Sequence, residues 1–361
     1  MRVSRSGLRG LREEEGGAVV VMLAITLLVL IGSLVLTFDL GSIVSVRRDM
    51  VNASDAAVLA AARACALGNG YEAAQTAAGE LIDENTANLS PTTMTTFDAP
   101  ECEALNSNLK HVAVSARTEV DYYFAPILGF ESGPVNSTAT AAWGPAIGVA
   151  NPVPLRLLNG AVNACIQGRP IGYSGPECAF GFDNTDQNSQ SASQWGVLDF
   201  PEGWPTAPPN PMACSSQPGG ASQVIEYLSG NVAGDFNPVL WALPDPVYVC
   251  AEGGLSATVV NWIIDWLNAN VGTALIFPVM ADPTDFPPVL SSGGEAYPII
   301  GFVSLSVMGA WRGQQAKQHC DFETQNASLF CVQLRYDGVD VVEGIPGSGT
   351  YYNIQAIRLV E

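Results

Sequence analysis

An uncharged apolar run of 22 residues lies close to the N-terminus, at positions 17–38. As a helix rising 1.5 Å per residue it would be about 33 Å long, enough to cross a hydrocarbon layer of roughly 30 Å. More than three hundred residues follow the run, and they include all eight cysteines. The run therefore predicts one transmembrane helix with a single large region beyond it.

Positive charge around the run predicts the orientation of the chain. Two basic residues lie shortly after the run, Arg47 and Arg48, whereas four precede it: Arg2, Arg5, Arg9 and Arg12. Because Lys and Arg resist translocation, we expect residues 1–16 to form a cytoplasmic tail of a single-pass plasma-membrane protein, with the rest outside the cytoplasm. Asp39 stands at the outer end of the run, and we assign it with Arg47 and Arg48 to the membrane interface. Its carboxylate can contact a partner protein, pair with these two arginines, or be hydrated at the interface.

Two kinds of N-terminal processing are alternatives to an uncleaved anchor. The run is longer than the apolar core of a secretory signal peptide, and residues 39–42 lack a small-x-small cleavage site. Gly10 with Glu15 resembles the start of a type IV prepilin, but charged residues separate this glycine from the apolar run. We expect the run to remain as an anchor.

Composition limits the class of partner. The chain carries 35 acidic and 15 basic residues, a net charge of −20. Such a charge repels nucleic acid, so we expect no nucleic-acid partner. The even number of cysteines predicts disulfides in an oxidising compartment.

A long alanine-rich helix is predicted directly after the membrane. Residues 42–67 contain neither proline nor glycine, so residues 17–67 read as one transmembrane helix and its extracytoplasmic continuation. Alanines recur at spacings of three and four, which places them on one helical face. This face packs either against the protein's own next helix or against another subunit. The candidate helix-packing residues are Ala53, Ala56, Ala57, Ala60, Ala61 and Ala64.

The remainder of the chain predicts an α+β fold. Residues 68–148 combine a helix at 71–88 with strands near 112–120 and 135–143, and residues 147–154 resemble a linker. Residues 149–361 are rich in glycine, proline and cysteine, with a helix within 253–270 and strands at 273–280, 297–308, 330–336 and 352–360. This outer region is predicted as a disulfide-stapled α+β or mainly-β domain.

Closing a short loop costs less conformational entropy than closing a long one, so the cysteine pairings can be ranked by loop length. This criterion favours Cys165–Cys178 and Cys320–Cys331 first. Cys214–Cys250 and Cys65–Cys102 follow.

The N-terminal third resembles a known family. Residues 38–41 (Phe-Asp-Leu-Gly), the pair at 47–48, and the series Val-Asn-Ala-Ser-Asp-Ala-Ala at 51–57 are similar to the start of TadG-like (TadE/TadG-like) proteins of the tight-adherence, or Flp-type, pilus assembly systems. Residues 124–129 and 139–145 continue the likeness less sharply. An arginine usual at the family's entry is absent, and so is the Asp-x-Ser-x-Ser metal string that some members carry.

The resemblance implies a membrane-anchored accessory component of a pilus machine, whose partners are other Tad components or pilins contacted through the N-terminal helix. It implies no catalytic residue, no cofactor and no enzyme activity. A surface adhesin or an envelope scaffold is the alternative from a different class, and an extracellular hydrolase is a third.

Little in the sequence suggests catalysis or metal binding. His319 beside Cys320 is the nearest approach to a nucleophile or a metal ligand, but a disulfide loop to Cys331 accounts for that cysteine. Asp183, Asp186 and Asn188 carry oxygen ligands at close spacing without an EF-hand pattern, so we interpret them as a polar turn.

Overall fold

The protein is described here as a computed structural model. It describes residues 7–89, 91–102, 108–166, 177–182, 198, 220–229, 239–241, 247–251, 257–282, 289–291, 294–320, 330–347, 352 and 354–360.

The N-terminal helices agree with the predicted membrane anchor and its continuation. Helix α1 (Gly7–Leu34) is followed by one wide π-helical turn, Val35–Asp39, and then by α2 (Leu40–Ala66) and α3 (Tyr71–Asn85). Among the described residues one helical stretch, Val19–Ala66, is long and apolar enough to cross a membrane. The apolar side chains of residues 19–30 are exposed, as expected of a helix whose surroundings are lipid or other membrane helices.

The chain divides into two compact units, and helices and strands pass from one to the other. The first unit comprises residues 1–60, 75–98 and 113–140. It contains all of α1, most of α2 and α3, strand β1 (Thr93–Asp98), most of β2 (Lys110–Asp121), a 3-10 turn (Ala125–Leu128) and the start of β3 (Ser132–Ala150). β1 pairs with β2 in antiparallel register, with Phe97 opposite Val114. Residues along β2 alternate between buried and less buried positions, so one face of the strand lies in the core.

The second unit comprises residues 61–74, 99–112 and 141–361. Its elements are β4 (Leu157–Leu158), α4 (Asn159–Ile166), β5 (Glu177–Phe182), α5 (Gly220–Ser229), β6 (Val239–Trp241), β7 (Val247–Ala251), α6 (Ala257–Ala269), β8 (Ala274–Met280), β9 (Val289–Ser291), β10 (Gly294–Arg312), α7 (Gln314–Cys320), β11 (Phe330–Arg335), β12 (Asp340–Pro346) and β13 (Ile354–Val360).

A seven-stranded sheet forms the centre of the second unit. Its order is β4-β8-β10-β11-β5, and β7 and β9 also pair with the long strand β10. Helix α6 supplies Val259, Ile263 and Leu267 to the main core cluster, which also contains Phe277 and Val303 of the sheet. Elsewhere in this unit, the end of β3 pairs with β6 and β12, and β12 pairs in parallel with β13.

The predicted α+β class is confirmed, while several boundaries differ from the prediction. Helix α3 ends at Asn85 rather than at residue 88, and β3 is longer than the predicted strand at 135–143. The predicted linker at 147–154 is wrong. β3 continues to Ala150, and Val149 and Val153 are buried, because these apolar residues belong to the core.

Candidate functional site at the end of the membrane helix

The carboxylate of Asp39 is buried and is held by the backbone of a distant loop. Its Oδ1 accepts hydrogen bonds from the N–H groups of Tyr123 (2.8 Å) and Phe124 (3.2 Å). Its Oδ2 accepts from the N–H groups of Phe124 (3.1 Å) and Ala125 (2.6 Å). We call this arrangement the Asp39 clamp. A carboxylate that accepts several backbone N–H bonds satisfies donors that a tight turn would otherwise leave unpaired.

The loop held by the clamp is the tip of the hairpin formed by β2 and β3. Within the tip, the N–H of Tyr122 donates to the carbonyl of Glu131 (2.9 Å), which closes the hairpin. Further along, the Ser137 hydroxyl of β3 donates to the Met50 carbonyl of α2 (3.0 Å) and is hydrogen-bonded to Ser54. Met50 lies 11 residues beyond Asp39, or about 16 Å along a helix. The hairpin therefore lies along α2 with its tip beside Asp39.

The other two residues assigned to the membrane interface, Arg47 and Arg48, are exposed, whereas Asp39 is buried. Both arginines lie on α2, and within the described residues no ion pair joins either of them to Asp39. The Asp39 carboxylate is therefore neither paired with these arginines nor exposed to solvent, since it is buried and bonded to the loop at 123–125. The sequence offered no signal for the loop at 123–125, because backbone donors carry no residue-type pattern.

The alanine stripe of α2 is buried within this chain. Ala53, Ala57 and Ala61 have no exposed surface, and Ala64 is also buried. Ala56 and Ala60 are half-buried at the margin of the stripe. The exposed face of α2 instead carries larger or charged residues: Val44, Arg47, Arg48, Val51 and Asn52. Of the two alternatives for the stripe, the geometry favours packing inside the protein.

Three disulfides join the same cysteines that the loop-length ranking pairs. They link Cys65 to Cys102, Cys165 to Cys178 and Cys320 to Cys331. Their sequence separations are 37, 13 and 11 residues. The fourth pairing, Cys214–Cys250, lies outside the described residues, since Cys214 is not described.

His319 and Cys320, the candidate catalytic or metal-binding pair, make other contacts in the structure. Cys320 is bonded to Cys331, and the ring of His319 stacks on Trp311 with centroids 4.2 Å apart. Among the described residues no group of three or more His, Cys, Asp or Glu side chains is arranged to hold a metal ion. The polar turn with Asp183, Asp186 and Asn188 lies outside the described residues.

The second unit contains a buried lysine that the sequence did not reveal. Lys110 is buried, and its Nζ lies 4.2 Å from the centre of the Trp143 ring without a hydrogen-bond acceptor. Burial lowers the pKa of Lys110, and the charge of Glu101 opposes that shift only in part. The surroundings therefore disfavour the ammonium form, although the cation–π contact returns some stabilisation.

Lys110→Met is expected to stabilise the protein at neutral pH, because it removes a buried ammonium and keeps the side-chain volume. In the wild type, stability should rise as the pH increases from the lowered folded-state pKa toward the unfolded value of about 10.4, since the unfolded chain binds more protons in that window. The variant should lack this part of the rise. Denaturant midpoints at neutral and alkaline pH measure both effects. A variant less stable than the wild type at neutral pH would mean that the cation–π contact dominates.

The comparisons with known proteins match two family models to the N-terminal part of the chain. Residues 16–64 match the family of Flp pilus-assembly TadE/G-like proteins, and residues 47–141 match a second family of Tad-like Flp pilus-assembly proteins. The two matches cover the apolar run at 17–38, the alanine stripe and the hairpin tip that holds Asp39. No curated protein and no solved structure matches the chain.

The apolar helix and the disulfides are the features of a membrane-anchored protein whose disulfide bonds form in an oxidising compartment. Over residues 16–141 the chain is similar to TadE/G-like and Tad-like proteins of Flp pilus assembly, and these matches support a TadG-like component of the Tad pilus system. Both families are pilus-assembly components rather than enzyme families.

Proposed function

We propose that this protein is an accessory or structural component of a Tad-type pilus machine, with a minor-pilin-like, anchoring or assembly role. Its N-terminus lies in the cytoplasm, and the residues after Gly41 lie outside it. The observation that carries the proposal is the pair of family matches over residues 16–141, a range that includes the anchor and most of the first unit.

The partner surface is the membrane helix rather than the alanine stripe. The stripe is buried within the chain, so it has little surface left for a pilin or another subunit. The side chains of residues 19–30 are exposed around the helix, and helices in a membrane associate through such surfaces. Other Tad components or pilins would therefore contact this chain through α1.

An adhesin or envelope scaffold is the second candidate function. The family matches end at residue 141, and a disulfide-bonded region with its own sheet and core follows. An outer domain of this kind suits ligand binding at a surface. If the protein acts only in this way, its association with the pilus machine is dispensable.

Topology gives the first test. A cysteine placed at Val271, which is half exposed in the turn after α6, should react with an impermeant thiol label in intact cells once any outer barrier is opened. This result is expected because positive charge holds the N-terminus inside. A matched cysteine at Ser4 should react only after lysis. Labelling at Ser4 with protection at Val271 would reverse the orientation.

Partner capture tests the role itself. The affinity-tagged full chain, purified in mild detergent from its native membranes, should bring Tad components with it. The matched control replaces residues 19–34 by an unrelated apolar helix of equal length, which keeps the anchor but changes the contact surface. Loss of capture in the control supports contact through α1. Absence of Tad components from the wild-type preparation would count against the pilus role and favour the scaffold.

A further inference from the structure

The hairpin tip at residues 122–131 exposes large apolar side chains. Tyr123 is 76% exposed, and Ile127 and Phe130 are each 65% exposed. A tight turn closes the tip, with Gly129 in the left-handed region at φ +89°. Exposing three large apolar side chains of one short loop to water is unfavourable in free energy. An exposed cluster of this kind therefore indicates contact with a membrane or with another protein.

The Asp39 clamp fixes where this cluster lies. Asp39 directly follows the apolar run, and it bonds to three consecutive residues of the tip. The ring of Phe38, the last residue of the run, lies 5.5 Å from the ring of Phe124. Phe38 is itself 54% exposed, which makes its ring continuous with the apolar surface of the span. The tip is thus held at the level at which the helix leaves the hydrocarbon.

We propose that the hairpin tip inserts into the bilayer and forms a second membrane contact beside the transmembrane helix. The occupant of this apolar surface is lipid, at the boundary between headgroups and acyl chains. Aromatic and aliphatic side chains favour that layer and enter it by about 5–10 Å. The hydrogen bonds to the buried Asp39 carboxylate hold the loop against the end of the span.

The chemistry of the tip also predicts which lipids it needs. Residues 122–131 carry no lysine or arginine, and the acidic Asp121 and Glu131 flank the apolar cluster. Insertion should therefore depend on apolar burial and proceed equally well in zwitterionic bilayers, without attraction to anionic headgroups. Two contacts, one through the span and one through the tip, would restrain the tilt of the first unit against the membrane.

Fluorescence quenching of the full chain in phosphatidylcholine nanodiscs tests the proposal. A cysteine introduced at Ile127, or separately at Phe130, carries an environment-sensitive NBD label. The matched control is the same label at Val51, which is exposed on α2 about 18 Å beyond Asp39 along the helix. Lipids brominated on their acyl chains serve as the quencher.

Labels at Ile127 and Phe130 should emit at shorter wavelength than the label at Val51 and should be quenched by brominated lipid, while the label at Val51 should not. Adding anionic lipid should leave this contrast unchanged. Equal, weak quenching at all three positions would overturn the proposal. A blue-shifted label at Ile127 without quenching would also overturn it, because a protein rather than lipid would then cover the tip. Using two tip positions guards against one variant that fails to fold.

Discussion

Replacing Cys65 and Cys102 together by alanine is expected to lower the free energy of unfolding by about 4 kcal/mol. The disulfide closes a 37-residue loop, and the chain-entropy model assigns about this cost to the freedom that the unfolded chain regains. Both cysteines are buried, and alanine at these positions leaves no polar group unpaired. The guanidinium midpoint of the full chain in detergent, compared with that of the wild type, gives the measurement.

The matched control removes Cys320 and Cys331, whose separation is 11 residues. Its shorter loop predicts a smaller loss, of about 3 kcal/mol. An unchanged midpoint for the Cys65 and Cys102 variant would show that this disulfide does not form or does not constrain the unfolded chain.

Ala57→Leu is expected to destabilise the first unit by about 1–3 kcal/mol. Ala57 has no exposed surface, so the larger side chain must displace packed neighbours. The matched control is Val51→Leu on the exposed face of the same helix, where we expect a change within about ±0.5 kcal/mol. Denaturant midpoints of the two variants give the comparison.

The same pair of variants separates the two interpretations of the alanine stripe. If the stripe is internal, Ala57→Leu lowers stability and reduces pilus association only as far as it unfolds the unit. A stable Ala57→Leu variant that no longer captures Tad components would contradict internal packing and restore the stripe as a contact between subunits.

Local patterns predicted much of the fold because they concern neighbours in sequence. The apolar run predicted the membrane helix, and the sequence predicted a helix within residues 253–270, where α6 lies. The strand at Ala274–Met280 was predicted within one residue of its observed start. Each of these features is set by periodicity over one element.

Contacts between distant segments could not be predicted in the same way. The Asp39 clamp joins positions 84 to 86 residues apart through backbone donors, which any residue type supplies. The parallel pairing of β12 with β13 and the extension of β3 through the predicted linker likewise depend on tertiary packing. The alanine stripe illustrates the limit, because its spacing places the alanines on one face of the helix but does not say what packs against that face.

Piliation of a strain lacking this gene tests the central claim most directly. Electron microscopy should show that the deletion lowers the number of Tad pili and that the full chain, expressed in trans, restores them. The chain with residues 19–34 replaced by an unrelated apolar helix should reach the membrane with its disulfides formed and yet fail to restore the pili. Normal piliation in the deletion strain would contradict the account.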